Sequence, residues 1–210
     1  MIVATGLSRT GTTSLHLACL SFGFAGIHYP DREAIPWLNG RFTDEIFSRY
    51  DIVSDAPVPA YWRRLREVRP DLRVIHTRRN VETWIGSVRR HWAATGPSSQ
   101  YTLLRDQIRL AVYGVIGFDE AIMRYVFERH DDSVMSEMSG RADFLCIDLD
   151  DGFDMKALSR FLGKSEEGAP KAPHARSPRI GALADLPRAR VKAAAPHLQA
   201  FLSRLAAEPQ

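Results

Sequence analysis

Cysteine is scarce: Cys19 and Cys146 are the two in 210 residues, and each falls in an apolar stretch. Two reduced, buried thiols fit that placement. A disulfide framework or a zinc site would need more cysteines, or a His/Cys cluster at metal-ligand spacing, and neither is present. Long apolar runs are missing as well. Met1 leads directly into Ile2-Val3-Ala4-Thr5-Gly6, with no basic stretch and no long apolar segment behind it. The expectation is therefore no signal peptide, no stable membrane insertion and a cytoplasmic protein. Runs of one charge sign are absent too. The 28 Lys and Arg against 25 Asp and Glu leave a net charge of +3, a mild excess that suits an anionic ligand. No basic stripe with interleaved aromatics appears, which argues against a nucleic-acid partner. No internal repeat is visible.

What is present is the composition of a globular protein, 45% hydrophobic and 25% charged, in a length that suits one domain over 1–210. Short β-leaning runs at 2–5, 24–28, 51–54, 72–77 and 144–147 alternate with helical patterns. A helix starts at Thr12, carries Leu15, Cys19 and Phe22 on one face, and stops at Gly23. Two short helices are expected within 31–50 and another over 60–68, closed by Pro70. Val81, Trp84, Ile85, Val88 and Trp92 form the strongest apolar stripe, with Asn80 at its N-cap position. Residues 99–138 read as mostly helical, broken near Gly114 and Gly117, and a helix over 155–162 stops at Gly163. A loop rich in Lys, Arg and Pro over 164–180 and a last helix over about 187–207 complete the chain. The alternation predicts an α/β fold: three layers, with a central parallel sheet covered by helices on both faces.

The segment Gly6-Leu7-Ser8-Arg9-Thr10-Gly11-Thr12-Thr13-Ser14 follows a predicted strand and opens a helix. Glycines let the backbone turn so that successive N–H groups point inward, and a helix N-terminus adds partial positive charge. Hydroxyls of Ser8, Thr10, Thr12 and Thr13 supply more donors. Phosphate binding is the reading that position, glycines and hydroxyl density favour over an ordinary strand-to-helix turn. The two glycines have the spacing of a Walker A loop. Yet Thr12 stands where that loop has its Lys, and the cation is instead Arg9. Asp148 is a weak candidate for a Walker B carboxylate, so Mg²⁺-dependent hydrolysis of ATP or GTP is disfavoured.

Arg9-Thr10-Gly11-Thr12-Thr13 resembles the 5'-phosphosulfate loop of the sulfotransferases that use 3'-phosphoadenosine 5'-phosphosulfate, which reads Lys/Arg-Ser/Thr-Gly-Thr-Thr/Ser. The resemblance runs from the first strand through the helix ending at Gly163. It implies a P-loop NTPase-like fold, that nucleotide as donor, 3',5'-adenosine bisphosphate as product, and no metal. The loop, Ser8 to Ser14, would hold the 5'-phosphosulfate, with Arg9 also acting on the leaving phosphate. The family places an Arg at a strand end and a Ser eight residues later to hold the 3'-phosphate, which maps onto Arg79 and Ser87. Val81 replaces the Pro often found between them, and Arg78 could exchange roles with Arg79. A late basic loop covers the nucleotide in related enzymes, a role open to Arg176 and Arg179; a basic linker is the alternative.

The implied reaction moves a sulfuryl group to a hydroxyl or amine of a small-molecule, carbohydrate or lipid acceptor. Asp55, after the strand 51–54, is the favoured base, because ligands bind at the carboxyl ends of strands in open α/β sheets. Capping of the next helix is its alternative role, and His28 is the rival base. His76, on a buried strand, is expected to be structural. Tyr29, Trp37, Tyr61 and Trp62 are candidates to line the acceptor pocket. A small-molecule kinase and an inactive nucleotide-binding module are the competing readings.

Overall fold

The computed structural model describes residues 1–94, 102–167, 172 and 185–186. Five strands form a parallel sheet: β1 (Ile2–Ala4), β2 (Gly26–His28), β3 (Ile52–Ser54), β4 (Arg73–Arg78) and β5 (Phe144–Asp148). A two-residue strand, β6 (Asp185–Leu186), adds antiparallel to β2, giving the order β5-β4-β1-β3-β2-β6. Eight helices appear among the described residues: α1 (Thr12–Ser21), α2 (Ile35–Leu38), α3 (Ile46–Arg49), α4 (Val58–Val68), α5 (Val81–Ala94), α6 (Thr102–Tyr113), α7 (Glu120–Met138) and α8 (Met155–Phe161).

Strand side chains alternate between two cores, as a sheet buried on both faces requires. Ile2, Ala4, Ile52, Ile75 and Ile147 pack with Leu15, Ala18 and Cys19 of α1 and with Met155 and Leu158 of α8. Val3, Val53 and Val74 point the other way, onto Val58, Trp62 and Leu65 of α4 and Val134 and Met138 of α7. The three-layer expectation holds. A third cluster, Leu7 with Trp84, Ile85, Val88, Tyr113, Met123 and Phe127, sits against the loop after β1 and ties it to α5, α6 and α7. Trp84 is fully buried there, and burying an aromatic of that size contributes about 3 kcal/mol.

The chain leaves β1 toward β2 on one side of the sheet, whereas it leaves β3 toward β4 on the other side of β1. Helices α1 and α4 therefore cover opposite faces, and a crevice opens at the carboxyl edge where they part. Helix limits follow the expected signals. Gly23 (φ 85°) ends α1 and Gly163 (φ 70°) follows α8, while the Asn80 side chain accepts from Glu82 N–H at 2.9 Å and Thr83 N–H at 3.3 Å. Helix α4 starts at Val58 rather than at 60, because Pro59 fits the first helical turn. The expected helix over 187–207 lies outside the described residues.

Candidate functional site

The loop after β1 is held from behind. A Cβ on Gly6 would lie 1.9 Å from Thr77 Oγ1, so only glycine lets this turn press against β4. Thr10 Oγ1 donates to the Leu7 carbonyl at 2.7 Å and shares a 2.9 Å hydrogen bond with Thr77 Oγ1. Trp84 Nε1 donates to the Ser8 carbonyl at 2.9 Å, and His130 Nε2 donates to the Thr5 carbonyl at 2.6 Å. His76 bridges Thr5 Oγ1 (2.9 Å) and Asp131 Oδ1 (3.0 Å) on its two ring nitrogens, a buried structural role as expected. Gly11 then turns the chain into α1 with φ 89°, a region that favours glycine.

In front of the loop lies a cleft of about 1040 Å³. The segment after every parallel strand contributes to it: Ser8, Arg9, Gly11, Thr12, Thr13 and Ser14 after β1, Tyr29 after β2, Asp55 after β3, Arg79 after β4 and Leu149 after β5. The facing wall is His91 and Trp92 of α5 with Arg105, Ile108, Arg109 and Tyr113 of α6. Among the described residues three non-glycine residues have positive φ, namely Arg9 (76°), Tyr29 (59°) and Asp55 (68°), and all three line this cleft. Such backbone costs about 1–3 kcal/mol per residue and collects at functional sites.

Asp55 is the hub of the cleft floor. Its carboxylate accepts from Ser8 Oγ, from Thr12 Oγ1 at 2.8 Å and from its own neighbour Ala56 N–H at 2.6 Å. His28 Nε2 stands 3.1 Å from the other side of Asp55 Oδ2, with Thr13 Oγ1 also at 3.2 Å and Ser54 Oγ at 3.2 Å from Nδ1. The two rival bases thus stand side by side as one close pair. Capping of α4 does not absorb the Asp55 carboxylate, since Pro57 occupies the N-cap and no side chain caps there.

Arg79, at the end of β4, donates from Nη1 to the Arg9 carbonyl at 3.3 Å and from Nε to Thr83 at 3.1 Å. Ser87 is buried rather than solvated and accepts from Arg9 Nε at 3.2 Å. Arg79 and Ser87 thus both contact Arg9, one at its carbonyl and the other at its guanidinium; Arg79 lines the cleft, and Ser87 is not among its lining residues. Arg78 takes a different course. It pairs with Asp131 (3.2 Å) and Asp148 (3.3 Å), which removes it as an alternative to Arg79 and engages Asp148, the weak Walker B candidate, in an ion pair.

Several expected contributors lie elsewhere. The Thr10 hydroxyl points into the protein and does not reach the cleft, because Leu7 and Thr77 hold it. Trp37 and Trp62 are core residues under the sheet, and Tyr61 lines a separate groove with Ile35, Leu38 and Leu103; of the four aromatics, Tyr29 alone reaches the cleft. Arg176 and Arg179 lie outside the described residues. Ala172, from the same basic loop, does line the cleft. Sequence reasoning missed the α6 wall. Arg105 and Arg109, four apart among Leu104, Ile108 and Val112, were the available signal.

Electrostatics separate the two walls. Tyr29's hydroxyl is pushed up to about 12, first by burial and then by Asp55. Tyr113, fully buried beside Ser8, is pushed up more strongly by burial. Both remain protonated donors. Burial, then Arg9, holds His91 below the ordinary histidine value, and burial, then Arg105, lowers Arg109. Among the described residues no cluster of His, Cys, Asp and Glu could hold a metal ion, and no helix is long and apolar enough to cross a membrane.

A parallel sheet covered by helices on both faces, with a strand–loop–helix turn, hydroxyls and two guanidiniums at its carboxyl edge, places the chain among the three-layer α/β proteins. More particularly, the chain belongs to the sulfotransferase domain family, which matches residues 1–179. It is also similar to "Ava biosynthesis cluster protein M" of Aspergillus versicolor, at 27% identity over 41% of each chain. The match thus spans well under half the length of that curated relative.

Proposed function

We propose that this protein transfers a sulfuryl group from 3'-phosphoadenosine 5'-phosphosulfate to an acceptor hydroxyl or amine. The observation that carries the reading is that Arg79 and Ser87 both contact Arg9 of the loop, at its carbonyl and its guanidinium. Two cations and a hydroxyl beside an N–H-rich turn suit a nucleotide with two separate phosphate positions. The donor supplies the group itself: a bond forms between sulfur and the acceptor oxygen as the bond to the 5'-phosphate oxygen breaks, leaving 3',5'-adenosine bisphosphate.

The residues divide that work. Loop N–H groups and Arg9 meet the charge that develops on the leaving phosphate, where preorganised donors matter most. Arg79 and Ser87 bind the 3'-phosphate. The Asp55–His28 pair takes the acceptor's proton, with Ser8 and Thr12 holding the carboxylate in place. Positioning across the cleft supplies much of the remaining rate. A volume of about 1040 Å³ is at the top of the range for one small ligand, about 300–1,000 Å³, and leaves room for an acceptor beside the nucleotide.

The reading is tested by calorimetry of the full chain with 3',5'-adenosine bisphosphate and with ATP plus Mg²⁺. The bisphosphate is expected to bind at least tenfold more tightly. Preference for ATP with Mg²⁺ would move the protein to the kinases, and bisphosphate binding without transfer to any acceptor would make it an inactive nucleotide-binding module.

A further inference from the structure

Helix α6 brings two arginines to the wall opposite the loop, and the donor reading gives them no task. Arg105 and Arg109 are one turn apart and both line the cleft. Taken together, the charged groups of the lining are Arg9, Arg79, Arg105 and Arg109 against Asp55 and Asp150, with His28 and His91 beside them. Asp55 is held by Ser8, Thr12 and His28, and Asp150 accepts from the Asn80 backbone N–H. Asp106 is near Arg105, 3.8 Å away on the same helix. Among the described lining residues, four arginines face two aspartates.

The Arg109 guanidinium is also oriented. It stacks over the Trp92 ring at 4.1 Å, and Nη1 donates to the Ile116 carbonyl at 3.1 Å. A guanidinium placed over an aromatic ring keeps a planar fork suited to a carboxylate or phosphate. Tyr29 lies between the two charged regions: it feels Asp55 on one side and Arg109 and Arg105 on the other. Burial and the nearby Arg105 weaken Arg109's hold on its proton, and an anion placed there would favour its charged form.

We infer that the acceptor carries an anionic group, a carboxylate or phosphate, which Arg105 and Arg109 bind while its hydroxyl faces the Asp55–His28 pair. The inference rests on the sulfuryl-transfer reading and names the acceptor class for it. The two arginines are specificity-determining residues: they select the acceptor and leave the nucleotide untouched.

The test uses the full chain saturated with 3',5'-adenosine bisphosphate. It is titrated calorimetrically with 4-hydroxybenzoate and 3-(4-hydroxyphenyl)propanoate, each against its neutral amide. The flat rings suit walls that include Tyr29, Trp92 and Tyr113. The acids should bind at least tenfold more tightly than the amides. Arg105→Gln and Arg109→Gln should each cut that preference about fivefold, the double variant should abolish it, and Arg109→Lys should keep part of it. Bisphosphate affinity should stay within twofold in every variant, which also reports that they fold. Amides binding as well as acids, no binding of either, or an intact preference in the double variant overturns the inference. A chain that binds no bisphosphate, seen before any acid is added, instead overturns the donor assignment and this inference with it.

Discussion

The two walls of the cleft are built on different principles. The loop wall is a polar lattice. Its hydroxyls, its hub carboxylate and the groups behind it, His76, Asp131 and His130, are nearly all hydrogen-bonded to one another. The α6 wall rests on an apolar cluster that α5, α6 and α7 share, Trp84, Ile85, Val88, Tyr113, Met123 and Phe127, and presents Arg105, Ile108, Arg109 and Tyr113 to the cleft. A polar lattice fixes geometry for a ligand common to a whole family, since each bond depends on direction. An apolar cluster fixes a surface while leaving its exposed charges open to substitution. The comparison teaches where to look for shared chemistry and where for individual specificity.

The comparison breaks most sharply at Asp55. Asp55→Asn keeps the shape of the hub but not its capacity to take a proton. Transfer to 3-(4-hydroxyphenyl)propanoate should fall by about 10²–10⁴ in kcat, with bisphosphate affinity changed by less than threefold. A variant that keeps a tenth or more of the wild-type rate would remove Asp55 from proton transfer. His28→Gln would then be the deciding measurement.

The rear of the loop wall carries a pH signature of its own. Burial lowers His130 to about 4 from an ordinary 6.5. The unfolded chain therefore binds more protons between those two values. The stability His130 contributes is fully present above pH 6.5 and is lost as pH falls toward 4, by about 3 kcal/mol in all. Urea melts over that window should show the loss in the wild type and a shallower slope in His130→Gln. Parallel slopes would mean that burial does not keep the imidazole neutral.

Much of the loop wall was legible because its residues are contiguous: nine positions from Gly6 to Ser14 carry the turn, the glycines and the hydroxyls. Strand-end residues were legible as positions. Asp55 and His28 could be placed at the carboxyl edge, but no spacing says that β2 and β3 pair in a register setting His28 beside Ser54. That register makes two rivals one pair. The α6 wall stayed hidden because its cleft-facing charges depend on how α5, α6 and α7 pack, and packing has no local sign in a mixed helix. Trp37 and Trp62 misled for the opposite reason. Large aromatics near a strand end look like pocket walls, yet burial under the sheet stabilises them more.

The finest test of the comparison is Arg79, where a single side chain should discriminate between two nearly identical ligands. Its guanidinium reaches the Arg9 carbonyl and Thr83. Arg79→Gln should weaken 3',5'-adenosine bisphosphate by about tenfold to a hundredfold, the range for losing a charge-assisted hydrogen bond to phosphate. Binding of 5'-AMP, which lacks the 3'-phosphate, should change by less than twofold, and the acid-over-amide preference set by α6 should not move. Equal losses for the two nucleotides would place Arg79 on the 5' side instead. A shift in the acid preference would show that the walls are not independent, and the division between shared and individual recognition would have to be redrawn around Arg79.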